Sequence, residues 1–361
     1  MEYRVYGKTG INVSFLGFGG MRFEEPGNID KSVKTVLRAF GKGVNYFDTA
    51  PGYCNDKSEI IMGHAVREMK KTKKPFFIST KSSKHRASDL RKDLEKSLKR
   101  LNVESIDFLH SWCIMTLKDW ADRKAGGAIE ELKRAKDEGL IKHVVFSTHL
   151  PGPDIRKIIE EGHFEGVTLG YSAVNFPYRE EGITAAHEKN MGVVVMNPLG
   201  GGLIVNNEKA FSFIKERPEQ SMVEAALHFL MADKRISAAI VGLRNEMDVE
   251  AAVTAVENYI PYAEQQVAAI RDRVKGEYND LCTTCMYCNV CPEGIPVWKF
   301  MDAYNHLVLE GGGTAANRLK WHWDTSIDEL KACTECRQCE SACTQHLSIL
   351  ERFERLKEAG K

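Results

Sequence analysis

Four side chains able to handle a proton follow strand-like runs in the first third of the chain. Residues 44–48, Val-Asn-Tyr-Phe-Asp, have the apolar, β-branched and aromatic character of a short buried strand and stop at the carboxylate of Asp48. A Pro51-Gly52 turn then presents the phenol of Tyr53. Lys81 ends the run Pro-Phe-Phe-Ile-Ser-Thr-Lys, and His110 ends Ile-Asp-Phe-Leu-His. Reduction of a carbonyl by hydride needs a proton donor beside the developing alkoxide. A free phenol, with a pKa of about 10, exchanges its proton poorly at neutral pH. An ammonium nearby lowers that value, and a carboxylate behind the ammonium holds it charged and in place. These types in this order predict Tyr53 as general acid/base, Lys81 as its tuner and Asp48 as the anchor of Lys81. His110 is then the hydrogen-bond donor that orients the carbonyl. Singly, each has a plainer reading: a helix cap, a packing phenol, a loop cation, a satisfied core histidine. Together, at successive strand ends, they favour catalysis.

A second chemistry sits at the other end of the chain. Only Cys54 and Cys113 precede residue 282, and both read as small buried or pocket-lining residues. Cys282, Cys285, Cys288 and Cys291 form C-x2-C-x2-C-x2-C, and Cys333, Cys336, Cys339 and Cys343 form C-x2-C-x2-C-x3-C. Three thiolates at x2 spacing wrap one face of an iron–sulfur cubane, and the fourth cysteine of each run reaches the other cluster. The expected assignment is Cys282, Cys285, Cys288 and Cys343 on one 4Fe–4S cluster, with Cys333, Cys336, Cys339 and Cys291 on the second. A pair of four-cysteine zinc sites competes, although zinc prefers two C-x2-C pairs per ion to a ladder. A disulfide framework fits less well without a secretory signal.

These residues need elements to hold them. Strand-like runs recur around 14–18, 44–48, 76–80, 106–110, 142–147, 167–171, 192–197 and 238–242, with amphipathic stretches between. Val33, Val36, Leu37 and Phe40 follow Asp30 as a helix cap; Leu90, Leu94, Leu98 and Leu101 share one helical face; and Pro218 marks a further helix start. Residues 3–13 read as a hairpin turning at 7–10. Eight strand–helix units predict an α/β fold, a (β/α)8 TIM barrel, whose catalytic groups gather at the C-terminal strand ends. The cysteine shift puts a boundary after residue 278, with a barrel over 1–278 and a mainly helical module over 279–361. Residues 260–277 read as a closing helix and 296–310 as a module helix, before the glycines at 311–313.

With 50 basic and 50 acidic residues the formal net charge is zero, which offers no field for nucleic acid or an anionic membrane. No apolar segment follows the N-terminus and none spans a bilayer, so a cytoplasmic protein is expected.

The barrel resembles the aldo-keto reductases. Phe47-Asp48-Thr49-Ala50 with Tyr53 and Ser58-Glu59 matches that family's signature segment, Ser79-Thr80-Lys81 its lysine, and Leu109-His110 its histidine. Tyr6-Gly7-Lys8-Thr9-Gly10 and Leu16-Gly17-Phe18-Gly19 also fit. The resemblance implies a nicotinamide-dependent reduction of an aldehyde or ketone, or the reverse oxidation of an alcohol, with NADP or NAD lying across the barrel top. It places Ser147 and Thr168 at the carboxamide, Met196 near the nicotinamide, and Pro198, Leu199 and the glycines from Gly200 over the pyrophosphate. Gly242, Arg244 and Asn245 begin a helix that takes the adenosine phosphate. Thr168, Ser172, Asp248 and Ala252 depart from the family's usual residues, and Asp248 would repel a 2′-phosphate. The C-terminal segment resembles a bacterial two-cluster ferredoxin, ferredoxin-like and mainly helical, which implies electron transfer and a redox-protein partner. Two alternatives stay open: a ferredoxin-driven reductase whose barrel uses no nicotinamide, and a non-catalytic barrel acting as a redox sensor or binding protein.

Overall fold

All eight strand-like runs become barrel strands. The computed structural model describes residues 1–277, 281–311 and 313–359. Strands β1 (Tyr3–Val5) and β2 (Asn12–Ser14) form an antiparallel hairpin. Then follow β3 (Leu16–Gly19), β4 (Tyr46–Asp48), β5 (Phe77–Ser82), β6 (Ile106–Ile114), β7 (Ile141–Thr148), β8 (Gly166–Gly170), β9 (Gly192–Met196) and β10 (Ala238–Gly242). They close in sequence order, β10 pairing with β3, and the pairings around the ring are parallel. The strands read as continuous apolar runs because helices cover their outer face while the barrel fills its own interior.

The hairpin plugs the N-terminal end of the barrel. Its Tyr6 is fully buried and stacks within an inner cluster that includes Tyr46 and Phe108. A side chain at Gly166 or Gly192, the first residues of β8 and β9, would come within 2.1 or 2.2 Å of the Tyr6 ring or hydroxyl. Those two glycines make room for the plug.

Several element starts differ from the sequence reading, because capping side chains outrank simpler signals. Helix Ile29–Gly41 is capped by Asn28, which accepts from the Lys31 amide, and Asp30 lies inside its first turn. The helix expected to start at Pro218 is Met222–Ala232, where Ser221 and Glu224 complete a capping box. The closing helix is Glu264–Glu277. The expected 278/279 boundary lies outside the described residues, as does Gly312 of the glycine run.

From Leu281 onward the described residues form helices and turns and no strands. The longest helices are Val297–Glu310 and Ile349–Ala359. They share an apolar core of their own, with Phe300, Tyr304, Leu319, Leu330 and Phe353 beside Cys282, Cys288, Cys339 and Cys343. This segment sits on the C-terminal face of the barrel. His346 Nε2 lies 3.0 Å from the His149 carbonyl beyond β7, and its ring stacks on Tyr178. Among the described residues no helix is long and apolar enough to cross a membrane.

Candidate active site

The tetrad converges because β4, β5 and β6 are neighbours in the barrel, with Asp48 opposite Ser79 and Lys81 opposite His110. Lys81 Nζ lies 2.5 Å from Asp48 Oδ2 and 2.7 Å from the Thr49 carbonyl. Both side chains of the pair are at most 5% exposed. Burial pushes the Asp48 carboxyl up and the Lys81 ammonium down, and their mutual contact opposes both shifts. Above them the Lys81 ammonium faces the Tyr53 ring, 5.2 Å from its centroid.

Tyr53 departs from the expected tuning. Burial first, then the Asp48 carboxylate, hold its phenol well above the ordinary value. The reason is geometric: Lys81 spends its hydrogen bonds on Asp48 and Thr49 and meets the phenol through the ring face. A phenol so placed stays protonated at neutral pH, which suits a donor more than a base.

His110 lies deeper than its expected role requires. It is fully buried, and its Nε2 is 2.9 Å from Ser79 Oγ. Ser79 Oγ in turn donates to Asp48 Oδ1 over 3.0 Å, so Nε2 carries the proton and donates to Ser79. Burial and the Lys81 ammonium push the imidazolium well below its usual range, leaving the ring neutral. To reach a substrate oxygen, Nε2 must give up Ser79.

The turn that carries Tyr53 is strained and clamped. Cys54, Asn55 and Asp56 have φ of 54°, 54° and 66°, a left-handed run without glycine. Asp56 accepts from Arg100 through both carboxylate oxygens, at 2.7 and 2.5 Å, and from the Gly52 amide at 3.0 Å. The buried Ser58 hydroxyl ties the next turn to Thr49 and to the Gly20 carbonyl, each over 2.7 Å.

Sequence reasoning missed several neighbours. Ser79 could have been found, since strand alternation puts it on the same face as Lys81. Trp112 packs edge-on against Tyr53, with ring centroids 5.7 Å apart, past an irregularity in β6 between Ser111 and Ile114. Tyr287, between two module cysteines, lies over the mouth, 5.4 Å ring to ring from His149 and close enough to act on the Tyr53 phenol. No local signal marks Arg100 or Tyr287.

The expected dinucleotide residues divide into two halves. Ser147 and Thr168 are adjacent partners on β7 and β8, both buried. Among the described residues Thr168 Oγ1 has no hydrogen-bond partner, an orphan that a carboxamide would satisfy. Met196 ends β9, and Pro198, Leu199 and Gly200 follow it. At the other half, Arg244 is already engaged. Its Nε lies 2.8 Å from Asp248 Oδ2, its amide donates to the same oxygen, and Asn245 caps the helix through the Asp248 amide. Gly242, with Asn245 just beyond it, ends β10 in the open, and a Cβ at Gly201 would lie 2.1 Å from the Thr283 carbonyl of the C-terminal segment.

The cysteines also fall into two sets. Cys282, Cys285, Cys288 and Cys343 lie within electrostatic reach of one another, and Cys288 also within reach of Cys339. Backbone amides of Thr284 and Leu347 donate to the sulfurs of Cys282 and Cys343. Cys291, Cys333, Cys336 and Cys339 line one cavity, closed by Ile295, Leu350 and Phe353. Among the described residues no three His, Cys, Asp or Glu side chains converge as ligands of a single metal ion. All ten cysteines are unpaired.

The aldo/keto reductase family matches residues 15–275. L-galactose dehydrogenase of Arabidopsis thaliana is 27% identical over 71% of this chain and 88% of that protein. NADH-specific methylglyoxal reductase of Escherichia coli is 25% identical over 55% of this chain and 67% of that protein. An aldo-keto reductase of Bacillus halodurans solved in its holo form superposes with a TM-score of 0.65 at 22% identity. It covers 76% of this chain and 96% of that one, and it shows the fold.

Proposed function

The chain belongs to the aldo/keto reductase family and is an oxidoreductase of that type, and on that premise we propose that it reduces a small carbonyl compound, with Tyr53 giving the proton. The observation that carries this reading is the buried Asp48–Lys81 pair beneath the Tyr53 ring. A nicotinamide dinucleotide, when bound, supplies the hydride. Tyr53 holds the proton for the alkoxide oxygen, and Lys81 stabilises the phenolate as the proton leaves. Asp48 keeps Lys81 charged and fixed. His110, through Ser79, holds Asp48 in register. Its direct hydrogen bond to the substrate belongs to a rearranged site.

Ser147 and Thr168 would hold the carboxamide, with Met196, Pro198, Leu199 and Gly200 along the path to Gly242, Arg244 and Asn245. Because Arg244 is tied to Asp248, a 2′-phosphate would have to break an ion pair and face a carboxylate. A reduced preference for the 2′-phosphate of NADPH follows, and one relative is itself named as NADH-specific.

The reading extends to a barrel over 1–278 and a ferredoxin-like electron-transfer module over 279–361. Cys282, Cys285, Cys288 and Cys343 would hold one 4Fe–4S cluster, and Cys291, Cys333, Cys336 and Cys339 the other. The x2 spacing, the grouping of the first set and the cavity lined by the second support it. Unpaired cysteines fit a reducing cytoplasm. Cys336 is exposed, which leaves the second cluster open to a redox-protein partner. A second reading, a ferredoxin-driven barrel without nicotinamide, draws on the Thr283 carbonyl pressed against Gly201 where a pyrophosphate would lie.

The test is Tyr53→Phe in anaerobically purified protein, with NADH and NADPH titrated by nicotinamide fluorescence and small aldehydes and ketones as substrates. Turnover should fall on the order of 100-fold or more, the usual share of general acid catalysis, with dinucleotide affinity unchanged. Near-normal turnover would remove Tyr53 from the mechanism. Absence of binding of either dinucleotide would leave the ferredoxin-driven reading.

A further inference from the structure

Arg179 is a buried cation whose hydrogen bonds go to backbone carbonyls. It ends the short 3-10 turn Phe176–Arg179 beyond β8 and is 1% exposed. Its guanidinium donates to three carbonyls: Gly170 at 3.2 Å, His149 at 3.2 Å, and Thr344 across the junction with the C-terminal segment. The Tyr178 ring lies alongside, 5.1 Å from Cζ. Nε has no partner. Among the described residues no carboxylate pairs with it, and its neighbour Glu180 is committed to Arg235 and Arg271. Neutral carbonyls compensate poorly for burying a full charge. The carbonyl it holds at Thr344 adjoins Cys343, Cys285 Sγ lies 3.2 Å from the Thr344 hydroxyl, and both sulfurs lie within electrostatic reach of the guanidinium.

Among the described residues that line the other set's cavity there is no buried cation. The cation at its cavity is Arg337, which is exposed and paired with Glu340 at 2.9 Å. A thiolate-bound cubane is net anionic in both oxidation states and gains one more negative charge on reduction. A cation held near it at low dielectric stabilises the reduced form more than the oxidised form.

We propose that Arg179 is the built-in counter-charge of the 4Fe–4S cluster held by Cys282, Cys285, Cys288 and Cys343, and that it raises that cluster's reduction potential above that of its neighbour. The inference rests on the cluster reading given above. The step concerned is the one-electron reduction of the cluster core, with no bond made or broken. Arg179 is a positioning residue here: it touches the carbonyl next to Cys343, and it also joins the cluster-bearing segment to the barrel.

The experiment is an anaerobic potentiometric titration of the full chain with dithionite, followed by electron paramagnetic resonance, for wild type, Arg179→Lys, Arg179→Gln and Arg179→Met. Iron and sulfide are measured on each sample. Wild type should show two potentials. Gln and Met should move the higher one to more negative values and leave the lower one in place, while Lys stays near wild type. If the neutral variants lose half their iron, the potential that disappears must be the higher one, and loss of the lower one would overturn the assignment. Unchanged potentials in fully loaded Gln and Met proteins would overturn the proposal, as would a Lys variant shifted as far as Gln. A wild-type protein without iron would instead remove the cluster reading itself.

Discussion

Tyr53 is surrounded by groups that oppose its ionisation, and this decides what it can do. Burial and Asp48 raise the phenol, while the ammonium that could lower it faces the ring. The phenol therefore stays protonated through the neutral range and past its ordinary value of about 10. For carbonyl reduction the protonated form is the active one, so kcat/KM should stay level from neutral pH to about 10. Alcohol oxidation needs the phenolate and should climb with pH over the same interval. Initial rates in both directions at constant ionic strength check this. A reduction rate already falling at neutral pH would mean that Lys81 outweighs burial. The tetrad's residue types were legible from the chain; the direction of the shift was not, because it depends on which face of the ring the ammonium meets.

At the scale of elements, the turn that carries Tyr53 combines strain with a clamp. Three consecutive non-glycine residues in left-handed conformation are held by the Asp56–Arg100 pair from the helix Ala87–Leu101. Asn55 is exposed, so its backbone conformation dominates its contribution. Asn55→Val should cost about 1–2 kcal/mol in urea unfolding, since a β-branched side chain tolerates this region poorly, whereas Asn55→Gly should cost nothing. Equal midpoints for the two variants would show that the turn relaxes freely. The Pro51-Gly52 signal foretold a turn, but the clamp joins residues far apart in sequence and leaves no local mark. The barrel itself was readable strand by strand, because parallel strands buried on both faces stay apolar throughout.

At the scale of the molecule, the C-terminal segment is seated on the catalytic face. Tyr287 overhangs the mouth near Tyr53, and Thr283 presses on Gly201. The cysteine set nearer the barrel combines the first ladder with Cys343, and the outer set combines the second with Cys291. If these sets hold clusters as proposed, Cys291→Ala should remove about half the iron, taking the cluster shared with Cys333, Cys336 and Cys339. The cluster that remains should still respond to Arg179→Gln in potentiometry. Loss of all the iron, or of none, would show that Cys291 is not the fourth ligand of one outer cluster.

What the sequence determined by itself was local in origin. Eight apolar runs, four proton-handling residues at strand ends and two cysteine ladders each follow from short-range periodicity and side-chain chemistry, which a linear reading captures. Tertiary structure decided the rest. His110 turned to Ser79 because neighbouring strands set its register, and Arg244 closed on Asp248 across one helical turn. Arg179 became a buried charge only because a segment more than 160 residues later covers it. Such couplings depend on which surfaces meet, and burial then fixes their strength.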